Sequence, residues 1–158
     1  MRLVIDTREQ RALTFPEVNG IEIVREALLA GDYGAVHETK TGYWVPDPTL
    51  FERKELGDLF KSFTQEYERE KEKWQRAQQA HYFYSLVIEG TVTDILNGHQ
   101  YWKGGTVHES RKSGLAMLRQ LCTVQRKYGV VVQFFQSRRE MAWYILEYFR
   151  SQERIGIG

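Results

Sequence analysis

Short apolar runs separated by stretches with three-to-four spacing predict strands joined by helices in this chain. Residues 2–6, RLVID, form an apolar run ending in an acid and suit a buried strand. Thr7 to Asn19 reads as a loop containing Pro16, and residues 21–25, IEIVR, alternate as a second strand does. A third strand leaves Gly31-Asp32-Tyr33-Gly34 and runs to about His37, before a turn from Thr39 to Gly42. Tyr43 to Val45 resumes a strand, Pro46-Asp47-Pro48 interrupts it, and Thr49 to Lys54 continues it. Prolines there fit a bulge or loop, not a central ladder position.

Glu55 to about Gln79 reads as one helix, with Leu56, Leu59, Phe60, Phe63, Tyr67 and Trp74 on its apolar face. The alternating charges of EREKEK fall to its solvated, ion-paired face. Tyr82 to Glu89 is a strand, Thr93-Asp94 caps a short helix to about Gly98, and Gln100 to Val107 is a glycine-containing loop. A second long helix runs from Glu109 to Tyr128 with Leu115, Leu118, Leu121, Cys122 and Gln125 inward, and Gly129 ends it. Val130 to Phe135 is a buried strand. Ser137 caps a last helix to about Gln152, with Met141, Ala142, Ile145, Leu146 and Phe149 on one face. Strands joined by long helices imply an α/β fold, a sheet with helices on both faces.

Composition narrows the class. A content of 42% hydrophobic and 13% aromatic residues belongs to a folded globule, and 158 residues fit one domain, expected over 1–158. The single cysteine, Cys122, excludes an internal disulfide and a cysteine-rich zinc site. Asp6 interrupts the N-terminal apolar run too early for a signal peptide, and no run reaches membrane-spanning length. The expectation is a soluble protein of the cytoplasm, or of the nucleus in a eukaryote, with no membrane partner. The net charge of +1 hides an asymmetry: residues 1–102 carry −5 and residues 103–139 carry +7. An acidic part joined to a basic one suits a protein that holds a cation and a polyanion, although such blocks also mix freely in three dimensions.

Three acids end or follow strands: Asp6, Asp32 and Glu52. Glu52 and Lys54 lie two apart on a strand and so share a face, while Arg53 points the other way. Two carboxylates can fix a hard divalent cation, and a neighbouring lysine can position water and offset charge on a phosphate. The bland alternative is a set of surface charges at a strand–helix junction. The full pattern is Gly31-Asp32, nineteen residues, Glu52-Arg53-Lys54, three residues, Asp58.

This pattern resembles the XPF-type structure-specific nuclease domain, a branch of the PD-(D/E)xK superfamily whose signature is GD…ERKxxxD. Val4-Ile5-Asp6-Thr7-Arg8-Glu9 is similar to that family's first strand and DxRE element, and Leu86-Val87-Ile88-Glu89-Gly90 to its central strand. The helix–strand–helix finish from Ser113 to Phe149 is also similar. The resemblance implies a restriction-endonuclease-like mixed sheet that cuts DNA near branches, flaps or single-strand/duplex junctions with Mg2+ or Mn2+. It implies Asp32 and Glu52 as metal ligands, helped by a carbonyl near Arg53, and Lys54 as the residue managing the nucleophilic water. Asp6 would be an added acid beside the metal, while Arg8, Glu9, Arg53 and Asp58 would brace the site or touch phosphate. It also implies a homodimer through the C-terminal helical part, where Trp143, Tyr144, Tyr148 and Phe149 make the last helix aromatic around much of its circumference. Such a domain would serve DNA repair or recombination. Only Gln152 to Gly158 remain for the tandem helix-hairpin-helix module of relatives, and no helicase motif is present. A catalytically silent scaffolding relative is the alternative reading.

Lys112, Arg119 and Arg126 recur every seven residues, and with Arg111 and Lys127 they make a basic stripe for DNA, or else a solvated helix face. Trp102, in the Tyr101-Trp102-Lys103-Gly104-Gly105 loop, could stack on an unpaired base or simply pack. His37, His81, His99 and His108 lack metal-ligand spacing and read as structural or surface residues.

Overall fold

The computed structural model describes residues 1–155, without the side chains of 101–103 and 153–155. Its elements are β1 (Arg2–Asp6), β2 (Glu22–Glu26), β3 (Tyr33–Glu38), β4 (Trp44–Pro46), β5 (Thr49–Glu55), α1 (Leu56–Ser62), α2 (Tyr67–Gln79) and β6 (Phe83–Glu89). They continue with α3 (Val92–Leu96), β7 (Gln100–Lys103), β8 (Thr106–Glu109), α4 (Gly114–Tyr128), β9 (Val131–Phe135) and α5 (Arg138–Ile155).

The main sheet has the order β2-β1-β3-β5-β6-β9, with β4 paired to β3. It is mixed: β1 runs antiparallel to β3 and β3 to β5, whereas β5, β6 and β9 are parallel. This topology positions the chemistry. Antiparallel pairing brings the C-terminal end of β1 beside the start of β3, and Tyr33 opposite Phe51 sets that start against the middle of β5, from Phe51 to Arg53. Asp6, Asp32 and Glu52 thus come to one end of the sheet from points far apart in the chain.

Strand alternation builds two cores. Leu50, Leu86 and Ile88 pack with Leu59, Phe60, Phe63, Trp74, Ile95, Met117 and Leu121 of α1 to α4 on one face. Phe51 and Val87 pack with Met141, Ile145, Leu146 and Phe149 of α5 on the other, alongside Leu3, Ile5 and Tyr33. The layers are helices, sheet, helix, as expected. Among the described residues no helix is long and apolar enough to cross a membrane.

Four elements differ from the pattern reading. The helix expected over 55–79 is two, because Thr64 Oγ1 donates to the Phe60 carbonyl and Lys112 Nζ to the Phe63 carbonyl, ending α1 there. Glu70, Trp74 and Ala77 of α2 face inward, so part of the EREKEK run is buried. The expected loop at 100–107 is the hairpin β7–β8, whose turn residues Gly104 and Gly105 both take positive φ, +60° and +78°. Because β8 uses the residues up to Glu109, α4 starts at Gly114 behind its cap Ser113. Its inward residues are Met117, Leu121 and Val124, with Leu118 partly buried; Leu115 and Cys122 are exposed. The cap of α3 is Thr91, which forms a capping box with Asp94.

Candidate active site

Gly31 makes the bend into β3. Its φ is +77°, and a Cβ there would lie 2.8 Å from the Phe51 carbonyl oxygen. The next residue is tied on both sides: Asp32 N–H donates to the Phe51 carbonyl at 2.7 Å, and the Asp32 carbonyl accepts from Asp6 N–H at 2.8 Å. Beyond the Tyr33–Phe51 pair the β3–β5 ladder ends, and the Asp32 carboxylate takes over, accepting Arg53 N–H at 2.8 Å. Strand geometry puts the Arg53 carbonyl on the same edge as that N–H.

Glu52 and Lys54 face the α2 side. Glu52 Oε1 pairs with Lys54 Nζ at 2.8 Å and Lys73 Nζ at 2.9 Å, while Glu52 Oε2 accepts from the Tyr84 hydroxyl at 2.5 Å. Glu70 receives both lysines on Oε1, at 3.4 Å from Lys54 and 3.0 Å from Lys73, and its Oε2 is buried without a partner. Burial pushes the Glu52 carboxyl up, but the two ammonium groups outweigh it and hold its pKa below the ordinary range. Burial likewise opposes charge on Lys54, yet Glu52 and Glu70 raise its pKa, so it stays a cation. Among the described residues no ammonium or guanidinium group pairs with Asp32 in this way. Burial, then the nearby Glu52 charge, push its pKa up to about 7.

The opposite side of β5 carries a second ion network. Arg53 pairs with Glu55 at 3.0 Å, Glu89 at 3.2 Å and Glu9 at 3.8 Å. Arg138, at the start of α5, donates to the Arg11 and Ala12 carbonyls and lies 3.8 Å from Glu89, tying the loop after β1 to α5. Between the two networks lies a cavity of about 320 Å³ bordered by Asp32, Glu52, Lys54, Asp58, Arg8 and Lys61.

A family model described as the ERCC4 domain matches residues 5–148. The chain belongs to the ERCC4 domain family. No curated protein sequence matches it. Among solved structures it is similar to XPF from Aeropyrum pernix, at 21% identity and a TM-score of 0.62, over 94% of this chain and 65% of that one. The same archaeal protein in complex with DNA matches at 20% identity and a TM-score of 0.63, over 99% and 67% of the two chains. The chain therefore spans about two thirds of these proteins' length, and it shares the XPF nuclease fold.

Within this ERCC4 domain the candidate site residues fall into different surroundings. Asp32, Glu52, Arg53, Lys54 and Asp58 all border the one cavity, with Arg8 and Glu9. Asp6 does not: it is 1% exposed, and its two oxygens accept from Arg8 N–H, the Arg8 guanidinium and Leu28 N–H. It thereby orients Arg8, which also donates to the Leu28 carbonyl. Arg119, Arg126 and Lys127 are exposed on α4 and Arg111 is exposed before it, all outside this cavity. Lys112 precedes the helix and is spent on the Phe63 carbonyl, so it does not share a helix face with Arg119 and Arg126. The Trp102 side chain lies outside the described residues. The pattern reading missed Glu70, Lys73 and Tyr84; the signals for the first two were their helical i, i+3 spacing and the place of Glu70 on the face of Phe63, Tyr67 and Trp74.

Among the described residues no three His, Cys, Asp or Glu side chains form a ready metal cluster. Asp32 and Glu52, with the Arg53 carbonyl beside them, nevertheless fit Mg2+ or Mn2+. Such hard ions commonly use one or two carboxylates and complete their shell with water and substrate phosphate. Asp32 gives the independent sign, a half-buried carboxylate whose charge its surroundings oppose.

Proposed function

We propose that this ERCC4 domain is a divalent-metal-dependent DNA endonuclease acting at branched, flap or single-strand/duplex junction DNA. The observation that carries the reading is the meeting of Asp32, Glu52 and Lys54 at one cavity with exposed cations, Arg8 and Lys61, on its border. Asp32 and Glu52 would hold the Mg2+ or Mn2+ ion. Bound there, it supplies Lewis-acid polarisation of the phosphate and acidification of water. Lys54, held by Glu52 and Glu70, is placed to orient the water and to offset charge gathering on the phosphate. Arg8, fixed by Asp6, and Lys61 are suited to the flanking phosphates. The DNA-bound relative supports DNA as the substrate class.

The test is incubation of labelled duplex, flap, fork and single-stranded DNA with Mg2+ or with EDTA. Cutting of the discontinuous substrates in Mg2+ alone is expected. Tight binding with no cutting in either condition would instead assign a silent scaffolding role.

The lysines make a separate metal-binding prediction. Lys73→Met removes an ammonium that competes for Glu52 Oε1, so Mn2+ is expected to bind about 10-fold more tightly. Glu70→Gln removes the second carboxylate charge facing Lys54 and Lys73, so both ammonium groups are held more strongly by Glu52, and Mn2+ binding should weaken. Isothermal titration reads both signs, and unchanged affinities would contradict the competition.

The proposed partner besides DNA is a second copy of the chain, docking through the C-terminal helical part. Tyr144, Tyr148 and Phe149 are used in the core with Phe51, which leaves Trp143, 41% exposed, and Val131 on the edge strand β9, 48% exposed. Light scattering giving a monomer mass at roughly 50 µM would refute the dimer.

A further inference from the structure

A second cavity, about 680 Å³, lies on the other side of α1 between that helix and the base of the β7–β8 hairpin. Its wall is built from ordered contacts. Ser110 N–H donates to the His99 carbonyl at 2.8 Å, closing the hairpin base, and Lys112 Nζ donates to the Phe63 carbonyl at 2.8 Å, pinning the following strap to the end of α1. The His99 ring stacks on buried Phe60, with centroids 5.8 Å apart and planes at 30°. Gly57 permits this, since a Cβ there would come within 3.1 Å of His99 Nε2.

The chemistry of this cavity differs from that of the first. Among the described residues its lining holds two cations, Arg111 and Lys61, the latter paired with Glu66 at 3.1 Å outside the lining, the amide of Gln65, the hydroxyls of Thr64 and Ser110, and no acid. The acid-rich first cavity suits a metal ion, whereas this one offers an aromatic ring, hydrogen-bonding groups and positive charge. That combination matches a nucleotide, whose base stacks on an aromatic face while its phosphate meets cations. Lys61 borders both cavities, and only α1, roughly 10 Å across, separates them.

We propose that this second cavity is a subsite for an unpaired nucleotide of the DNA substrate, next to the scissile phosphate, with His99 stacking on its base and Lys61 and Arg111 on its phosphates. The proposal rests on the nuclease reading and narrows its substrate to DNA with a single-stranded nucleotide beside the cut. A duplex keeps its bases stacked inside and offers this cavity phosphates alone, so the subsite favours forks and flaps over continuous duplex.

The test is a thermodynamic cycle between protein and DNA, read by fluorescence anisotropy in EDTA with a labelled fork and a matched duplex. Single abasic sites are walked along the unpaired arm. One position next to the junction is expected to weaken binding about 10-fold, and His99→Ala to weaken fork binding equally while sparing the duplex. The two together should do no more than either alone, since they remove the same contact. Arg111→Gln, at an exposed position that leaves the wall intact, should weaken fork binding and lower the salt dependence by about one counterion. Additive losses, no sensitive position, or equal losses on duplex would overturn the subsite. Cleavage of forks in Mg2+ with an additive cycle leaves the nuclease reading standing and removes the subsite alone. A non-additive cycle without cleavage does the reverse.

Discussion

An Asp32→Asn variant is expected to lose DNA cleavage by at least ~1000-fold and yet to be more stable than the wild type at pH 8 in EDTA. The two effects share a cause. Burial and Glu52 raise the Asp32 pKa to about 7, against an ordinary value of 3.8 in the unfolded chain. Between about pH 4 and pH 7 the folded protein holds a proton that the unfolded chain has released, so stability falls as pH rises through that window. Above pH 7 both states are ionised and the full penalty persists. Asparagine keeps an oxygen to accept Arg53 N–H but carries no charge, so the penalty disappears, a gain on the order of 2 kcal/mol. Urea unfolding from pH 4 to pH 8 measures it, with the two proteins equal near pH 4 and the variant ahead above pH 7. Wild-type cleavage rates in the variant would remove Asp32 from the reaction, and equal stabilities at pH 8 would refute the electrostatic account.

Gly31→Ala is expected to cost roughly 2–4 kcal/mol and to lose cleavage as well. Two costs add at this residue: a left-handed backbone, and a methyl group 2.8 Å from the Phe51 carbonyl oxygen. That carbonyl accepts Asp32 N–H, so the movement relieving the clash also displaces the acid. Gly20 is the control, with φ at +82° and nothing within 4 Å of the methyl group that alanine would add, so Gly20→Ala should cost about 1 kcal/mol. Urea midpoints of the two variants decide the matter; equal losses would mean that the approach to Phe51 contributes nothing.

Much of the site is legible in the chain alone, because strand parity is local. Glu52 and Lys54 share a face for the same reason that Leu50 and Phe51 serve different cores. The caps Ser137 and Gly129 are equally legible, since each satisfies backbone groups of its own helix. Lys73, Glu70 and Tyr84 are not. Tyr84 reaches Glu52 only because β6 pairs with β5, and Lys73 and Glu70 reach Glu52 and Lys54 only because α2 packs over that face of the sheet. The ending of α1 depends in part on Lys112, 49 residues beyond Phe63, which periodicity cannot anticipate.

By itself the sequence determined the alternation of strands and helices, the faces of each strand, the α/β class and the acid–acid–lysine pattern, all of which follow from backbone periods and side-chain chemistry within a few residues. Only the tertiary structure decided how the Asp6 and Asp32 carboxylates divide their work, which lysines neutralise Glu52, and that a cation-lined cavity lies across α1 from the acidic one. Those properties depend on desolvation and on charges brought together by pairing between distant strands. Electrostatic energies of that kind exist only once the chain has closed around them.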